Sequence, residues 1–287
     1  MNRAIAIAVL LAAPALHAGG RSHSNTSIDN DSVRSCSDVA VRFGSRPAAI
    51  SEETLRVTPS QARGLSINAG PDGGVWVLPA AGSEAEVTLC RAVPKGEEST
   101  LDRIRVIDDH GKISVSGPET EWLAHLIVRL PRGSSVDVSA ENGPVSIEGI
   151  EAGVHAMSVN GPVSVRACSG EIDVRSENGP VSMEGDRGQV RLEAANGPLA
   201  VRLSGNRFLG RLDGHTENGP VALRCSKGYS SGISIEASGH SPIDCHHGDC
   251  DIHQRGDDDA RHVDIGSGET RVRLSTVNGP VSIRAAE

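Results

Sequence analysis

The chain has 287 residues, a formal net charge of −9 at pH 7 and an aromatic content of only 2 %. Its lysines and arginines are scattered rather than clustered, so the composition argues against a nucleic-acid partner. The core must be aliphatic, and beyond the N-terminal region no stretch approaches the roughly 20 apolar residues that a membrane-spanning helix needs.

The N-terminus has the pattern of a secretory signal peptide. A basic residue precedes an apolar run from Ala4 to Ala13, and small residues follow as far as Ala18. We predict a signal peptide over residues 1–18, with cleavage after Ala18, and Ala15 as the alternative site. The protein is therefore expected to be exported to the periplasm, the cell surface or the medium. Residues 19–49 are predicted to be a flexible N-terminus of the mature chain with a lead-in strand.

The tripeptide Asn-Gly-Pro, followed by an aliphatic residue, recurs along the second half of the chain. The copies are Asn142-Gly143-Pro144, Asn160-Gly161-Pro162, Asn178-Gly179-Pro180, Asn196-Gly197-Pro198, Asn218-Gly219-Pro220 and Asn278-Gly279-Pro280. The first four copies are 18 residues apart and the fifth follows after 22. Self-similarity at such a period is typical of stacked repeat proteins.

Apolar and polar residues alternate on both sides of each tripeptide. Around the third copy, Ile172 and Val174 precede the tripeptide, and Val181 and Met183 follow it. Period-two alternation predicts strands with one buried face and one solvent-exposed face. Each unit is therefore interpreted as a strand, an Asn-Gly-Pro corner and a second strand. We expect Asn-Gly to turn the chain through positive φ, with Pro as the first residue of the next strand.

The constant period predicts how the units are arranged. Identical residues align at a fixed spacing only if successive units stack in parallel, and stacked Asn amides could then hydrogen-bond along the column. We therefore predict an all-β fold, a parallel β-solenoid or β-helix with rungs of 18–22 residues and a preference for right-handed crossovers. An antiparallel sandwich or barrel is the alternative.

The repeat extends beyond its clear copies. Asn68-Ala69-Gly70-Pro71 echoes the tripeptide upstream and His240-Ser241-Pro242 is a degenerate copy downstream, so the solenoid is assigned to residues 50–287. The stretch 243–270 has few apolar residues and is predicted to protrude as a loop. The last strand has no covering helix, which leaves an open edge. Either the 243–270 loop folds over that edge or another chain does, in end-to-end self-association.

Cysteine usage fits an exported chain, because an even number of cysteines favours disulfides there. The six are Cys36, Cys90, Cys168, Cys225, Cys245 and Cys250. Cys36 and Cys90 would fix the N-terminal segment. Cys245 could close a short loop with Cys250 or bridge to Cys225 in a neighbouring rung, while Cys168 has no obvious partner.

Two polar clusters could bind metal ions. Cys245, His246, His247, Cys250 and His253 are residue types that ligate zinc or copper, although a disulfide between the cysteines is the simpler interpretation. The carboxylates of residues 257–259, with Asp264, could hold calcium, but their spacing favours a solvated acidic loop. No cofactor is predicted.

Charged residues fill the outward positions. One file contains Asp137, His155, Asp173, Arg191, Asp213 and Arg273, and another contains Glu148, Arg166, Glu184, Arg202, Arg224 and Arg284. Mixed signs are typical of a solvated sheet. Converging carboxylates, which glycoside hydrolysis requires, are not evident from this pattern, and no Gly-x-Ser-x-Gly elbow surrounds Ser146, Ser164 or Ser182.

The sequence resembles a known family. The repeat Val-x-Val-x-Ser-x-Asn-Gly-Pro-Val-Ser-Val, the phrase Leu130-Pro131-Arg132-Gly133 and the signal peptide are similar to the bacterial putative adhesin family, with adhesin-like short β-strand repeats. The resemblance covers residues 50–287 and implies an exported β-helical protein. We expect a non-enzymatic scaffold that binds an unknown glycan or protein. A carbohydrate-active enzyme, such as a lyase or glycosidase, and a metal-binding envelope protein are the alternatives.

Overall fold

The computed structural model describes residues 24–27, 33–58, 60–254 and 260–286. The predicted signal peptide and the acidic residues 257–259 lie outside the described residues. The described part is nearly all β, as predicted, with two short 3₁₀ turns at Cys36–Asp38 and Glu98–Arg103. It contains no helix long and apolar enough to cross a membrane.

The described residues form 25 strands. They are β1 (Ser24–Ser27), β2 (Ala40–Phe43), β3 (Arg46–Val57), β4 (Gly64–Asn68), β5 (Val75–Pro79), β6 (Ala85–Pro94), β7 (Arg105–Asp109), β8 (Lys112–Ser116), β9 (Leu123–Leu130), β10 (Ser135–Ala140), β11 (Val145–Glu148), β12 (Gly153–Ser158), β13 (Val163–Arg166), β14 (Glu171–Ser176), β15 (Val181–Gly185), β16 (Arg187–Ala194), β17 (Leu199–Leu203), β18 (Leu209–Thr216), β19 (Val221–Cys225), β20 (Gly232–Ala237), β21 (Ile243–His246), β22 (Cys250–Gln254), β23 (Arg261–Ile265), β24 (Thr270–Thr276) and β25 (Val281–Ala285).

These strands form two large, mostly parallel sheets. One has 13 strands in the order β1-β2-β3-β6-β9-β5-β11-β13-β15-β17-β19-β25-β21, and the other has 12 in the order β22-β23-β20-β24-β18-β16-β14-β12-β10-β4-β8-β7. From β10 to β19 the chain alternates between the sheets, and each strand from β10 to β17 pairs in parallel with the strand two further on. The antiparallel alternative is therefore wrong for the repeats.

The inward-facing positions follow the alternation predicted from the sequence. Each repeat strand buries every second side chain, and strand β14 for example buries Ile172 and Val174 while Asp173 remains partly exposed. The column that follows the corner prolines is buried throughout, and it comprises Val145, Val163, Val181, Leu199, Val221 and Val281. One aliphatic core therefore runs between the two sheets along the stack.

The corner asparagines form a ladder of side-chain hydrogen bonds. Each Nδ2 donates to the Oδ1 of the asparagine on the adjacent rung at 2.7 to 3.0 Å, from Asn160 to Asn142 up to Asn278 to Asn218. The hydroxyl two positions before the asparagine supports the corner, because Ser176 Oγ accepts the Gly179 N–H at 3.0 Å. The corners therefore stack in one column, as the sequence predicts.

The corner glycines are required for a different reason from the one predicted. None of the corner asparagines or glycines has a positive φ, so the predicted left-handed turn is wrong. Instead the corners pack backbone against backbone. A Cβ on Gly179 would lie 2.2 Å from the carbonyl oxygen of Gly161, and a Cβ on Gly279 would lie 1.9 Å from that of Gly219. Only glycine permits the rungs to approach this closely.

At the C-terminal end the spatial order of the rungs departs from chain order. Strand β24 lies between β18 and β20, and β25 lies between β19 and β21. The backbone N–H of Val281 donates to the carbonyl oxygen of Pro242 at 2.9 Å. Pro242 occupies the position on its rung that Pro220 occupies on another. Residues 270–285 therefore occupy a slot between two rungs that precede them in sequence.

The same exchange occurs at the N-terminal end. Strands β4 and β5 pair with β10 and β11, about 70 residues away, while β8 and β9 form the next rung outward. Asn142 donates its N–H to Pro71 O at 3.0 Å, so the degenerate copy at residues 68–71 does stack on the clear copies. Beyond this rung the sheets continue with antiparallel strands: β6 and β3 extend the 13-stranded sheet, and β7 ends the 12-stranded one.

The predicted loop and open edge need correction. Residues 243–270 contain strands β21, β22 and β23, and the last repeat strand β25 is paired on both sides. Strand β21 of this segment covers β25, in line with one of the two alternatives, whereas β24 is covered by β20, which precedes the segment. The described part of the segment thus contributes paired strands. The sheets end at β21 and β22, which are short and carry Asp and His, features that discourage edge-to-edge pairing.

The N-terminal segment packs on the outside of the 13-stranded sheet. Val39, Val41 and Phe43 are buried in a second, smaller cluster with Trp76. A disulfide between Cys36 and Cys90, with Cα atoms 5.3 Å apart, fixes this segment. From residue 33 onward the chain is thus packed in place, and the predicted flexibility does not extend to these residues.

Candidate functional site

Outward-facing side chains of the 12-stranded sheet form the file predicted from the sequence. Asp137, His155, Asp173, Arg191, Asp213 and Arg273 are successive cross-strand neighbours. The sheet pairing extends this file beyond the prediction, because β24 lies beside β20 and places Ser234 next to Arg273. This face also carries the open grooves described next.

One groove lies across β16, β18, β24, β20 and β23 and has a volume of about 570 Å³. Its polar lining consists of Arg191, Glu193, Asp213, His215, Ser234, Glu236, His262, Arg273 and Ser275. It is open to solvent along its length and contains no aromatic side chain other than the two histidines. The groove therefore suits a polar ligand that contacts donors and acceptors together.

Most charges in the groove are already paired. Arg191 Nε donates to Glu193 Oε1 at 2.9 Å, and Arg211 Nε donates to Asp213 Oδ2 at 2.6 Å. These hydrogen bonds to carboxylates raise the pKa of both arginines above the usual value. Arg273, between Asp213 and Ser234, has no ion pair or hydrogen bond of its side chain within the described residues. It is the groove's cationic donor available to a ligand.

Two histidines line the wall of the groove. His215 Nδ1 and Ser275 Oγ share a hydrogen bond at 2.8 Å. His262 lies opposite Glu236 in the antiparallel pair and stacks on His253 with ring centroids 5.9 Å apart. Glu236 and His262 were not singled out from the sequence, because only the insertion of β24 brings β20 and β23 to this face. The one available signal was the interval of 38 residues between the degenerate copy at His240 and the last clear copy at Asn278.

The Cys/His cluster does not form a metal centre. Cys245 and Cys250 are joined in a disulfide, so neither offers a thiolate, and the alternative bridge from Cys245 to Cys225 is absent. Buried His247 donates from Nε2 to the carbonyl of Ser226 at 2.9 Å. Across the described residues, no group of three or more His, Cys, Asp or Glu side chains is placed to hold a metal ion.

The remaining histidines of the cluster each lie beside a carboxylate. His246 Nε2 lies 2.8 Å from Asp244 Oδ1, and His253 Nε2 lies 3.6 Å from Asp264 Oδ2. Of the predicted calcium ligands, residues 257–259 are outside the described residues, and Asp264 faces His253.

The other two cysteines are buried as free thiols. Burial raises the pKa of Cys168 and of Cys225 to about 11. A thiol with so high a pKa is a poor nucleophile at neutral pH. These cysteines therefore behave as small apolar residues of the core.

Comparisons with known proteins give structural neighbours only. No family model and no curated protein matches the sequence. A putative cell adhesion protein from Clostridium sporogenes ATCC 15579 matches with TM-score 0.37 and 14 % identity, covering 83 % of this chain and 100 % of that one. A putative adhesin from Bacteroides fragilis NCTC 9343 matches with TM-score 0.44 and 11 % identity, covering 83 % and 97 %.

A third solved structure has a different description. It is a putative lipid binding protein from Parabacteroides distasonis ATCC 8503, with TM-score 0.34 and 8 % identity, covering 82 % of this chain and 97 % of that one. At these identities and TM-scores the likeness establishes neither a shared fold nor a shared function.

Proposed function

We propose that this chain is an exported, non-enzymatic β-solenoid that presents a rigid face to a ligand in the periplasm, at the cell surface or in the medium. Residues 50–287 would form the solenoid, and the segment from residue 33 would be fixed to it by the Cys36–Cys90 disulfide. The parallel pairing of identical corners supports this architecture. The disulfides support an oxidising compartment, in which such bonds persist.

The groove of the 12-stranded sheet is the proposed ligand site. The observation that carries this assignment is Arg273, an arginine without a side-chain partner among the described residues, set between hydroxyl and carboxylate groups in this groove. A planar guanidinium with free donors recognises carboxylates and vicinal hydroxyls well. The neighbouring Asp213, Ser234 and Glu236 supply acceptors. A glycan or a polar segment of a protein fits this set of groups.

The test is binding to immobilised glycans and to whole bacterial cells. Substituting Arg273→Gln should lower binding at least about fivefold, because a charge-assisted hydrogen bond is worth more than a neutral one. Arg42→Gln, which changes an exposed arginine on β2 of the other sheet, is the matched control and should bind like the wild type. Equal binding by both variants would remove the groove from the proposal.

A carbohydrate-active enzyme is tested in the same series. The purified protein should release no new reducing ends from acidic or neutral polysaccharides. If it does, and if Glu236→Gln abolishes the release while the protein remains folded, the groove is catalytic and the non-enzymatic proposal is wrong.

A further inference from the structure

The outer face of the 13-stranded sheet carries a second feature, which we call the arginine column. It consists of Arg202 on β17, Arg224 on β19 and Arg284 on β25, which are direct cross-strand neighbours. His246 on β21 continues the same file. Parallel strands lie about 4.8 Å apart, so the three guanidinium groups follow one another at about that spacing. Like charges placed directly opposite destabilise a sheet.

The earlier half of the same file is balanced. Glu148, Arg166 and Glu184 follow one another with alternating sign on β11, β13 and β15. Such alternation is what a solvated sheet needs for its own stability. The alternation continues to Arg202 and then stops, because Arg224 and Arg284 follow with the same sign.

Few carboxylates compensate the arginine column. Arg202 Nε lies 3.8 Å from Glu184 Oε1, and Arg284 Nη2 lies 2.7 Å from Asp244 Oδ2. Arg224, in the centre, has no ion pair or hydrogen bond of its side chain in the described part of the chain. Arg202 and Arg224 are both exposed, and Arg202 has only the one long ion pair. Cationic donors are therefore left available here on a chain whose net charge is −9.

The surface beside the arginine column is flat. The adjacent outward positions are Ala200, Ala222 and Ser282, which lie in register on the same three strands. Their side chains are small, so an extended chain could lie along the stack in contact with the sheet. Such a chain would run along the stack axis, because the positive charges repeat from strand to strand in that direction.

We propose that the arginine column binds a linear acidic polysaccharide laid along the stack axis. Guanidinium groups form bidentate, charge-assisted hydrogen bonds with carboxylate and sulfate groups, and a linear polyanion presents such groups at regular intervals. Single-stranded nucleic acid fits less well, because its binding uses aromatic side chains for base stacking and strands β17, β19 and β25 contain none.

This site is separate from the groove, because it lies on the opposite sheet. Its test therefore stands or falls independently of the proposed function. The probe is polygalacturonate, a linear polyuronate, with uncharged dextran and oligothymidylate as comparison ligands. Binding is measured by affinity electrophoresis and by titration at low and at physiological ionic strength, since exposed ion pairs are screened by salt.

Migration of the wild-type protein should be retarded in gels that contain polygalacturonate and not in gels that contain dextran. Added salt should reduce this retardation. Arg224→Gln should lower the affinity about fivefold, and Arg202→Gln combined with Arg224→Gln should lower it by more than about tenfold. Arg166→Gln, in the balanced half of the same file, is the matched control and should retain wild-type affinity. Thermal unfolding of each variant reports whether it is folded.

Three results would overturn the proposal. The first is equal polygalacturonate affinity for Arg224→Gln and Arg166→Gln. The second is stronger binding of oligothymidylate than of polygalacturonate, which would make nucleic acid the ligand class. The third is that Arg273→Gln loses polygalacturonate binding while Arg224→Gln retains it, which would assign the polyanion to the groove instead.

Discussion

Replacing one corner glycine with alanine tests the stacking directly. In Gly179→Ala the new Cβ would lie 2.2 Å from the carbonyl oxygen and 2.7 Å from the carbonyl carbon of Gly161, where ordinary contact begins at 3.4 Å. Both atoms belong to the backbone, so no side-chain rotation relieves the overlap. The two rungs must separate by about 1 Å, which would also stretch the hydrogen bond from Asn178 Nδ2 to Asn160 Oδ1, now 3.0 Å.

The expected loss of stability is large for a single methyl group. Overpacking costs about 1–3 kcal/mol, and each weakened hydrogen bond adds about 1 kcal/mol. Alanine also lowers the conformational entropy of the unfolded chain, which offsets about 0.4–1 kcal/mol of this loss in stability. The net effect is about 3 kcal/mol, which for a domain of this size lowers Tm by about 6–12 °C.

Thermal and urea unfolding, followed by far-UV circular dichroism, measure this difference. Gly82→Ala is the matched control, because a Cβ there meets nothing within 4 Å and the backbone φ is not positive. That variant should be neutral or slightly more stable than the wild type. If Gly179→Ala unfolds at the same temperature as Gly82→Ala, the corners do not pack as described and the reasoning is refuted.

Three further tests probe the core, the pH response and the ladder. Val181→Asp should abolish cooperative unfolding because it buries an unpaired charge, whereas Ser182→Asp on the outer face should change Tm little; equal effects would contradict the assignment of faces. Burial lowers the pKa of His125 to about 4 from 6.5, so this residue favours the folded state above pH 6.5 and loses about 3 kcal/mol of that contribution as the pH falls to 4. The urea midpoint of His125→Gln should therefore fall less between pH 7 and pH 4 than that of the wild type, and parallel curves would count against the buried neutral imidazole. Asn178→Ala removes two ladder hydrogen bonds and should cost about 2 kcal/mol in urea unfolding, a value near zero being evidence that the ladder is not formed.

The repeat section was predictable because its local and global signals agree. Period-two alternation assigned Ile172 and Val174 to the buried face, and the constant 18-residue spacing required parallel stacking, which the pairing of β14 with β16 confirms. The role of the corner glycines was predicted for the wrong physical reason. Sequence shows that glycine is required, but not whether the cause is its φ or the closeness of a neighbouring chain.

The ends of the stack were harder to predict. No sequence feature of β24 specifies pairing with β18 and β20 rather than with the strands just before it, because each rung presents the same aliphatic columns. Glu236 and His262 were consequently missed as groove residues, while Arg273 was placed in the correct file. Likewise, the packing of Phe43 against Trp76 depends on a surface that only the assembled 13-stranded sheet provides.

The placement of β24 and β25 affects how the protein reaches its final form. Val272 pairs with Leu212, 60 positions earlier in the chain, and also with Ile233 on its other side. Neither strand pair can form until residues 270–285 are in place, so this end of the stack cannot assemble rung by rung in chain order. Contacts between residues so distant along the chain form slowly. The central repeats can therefore pair early, whereas this end of the stack is completed only when β24 and β25 insert between the neighbouring strands.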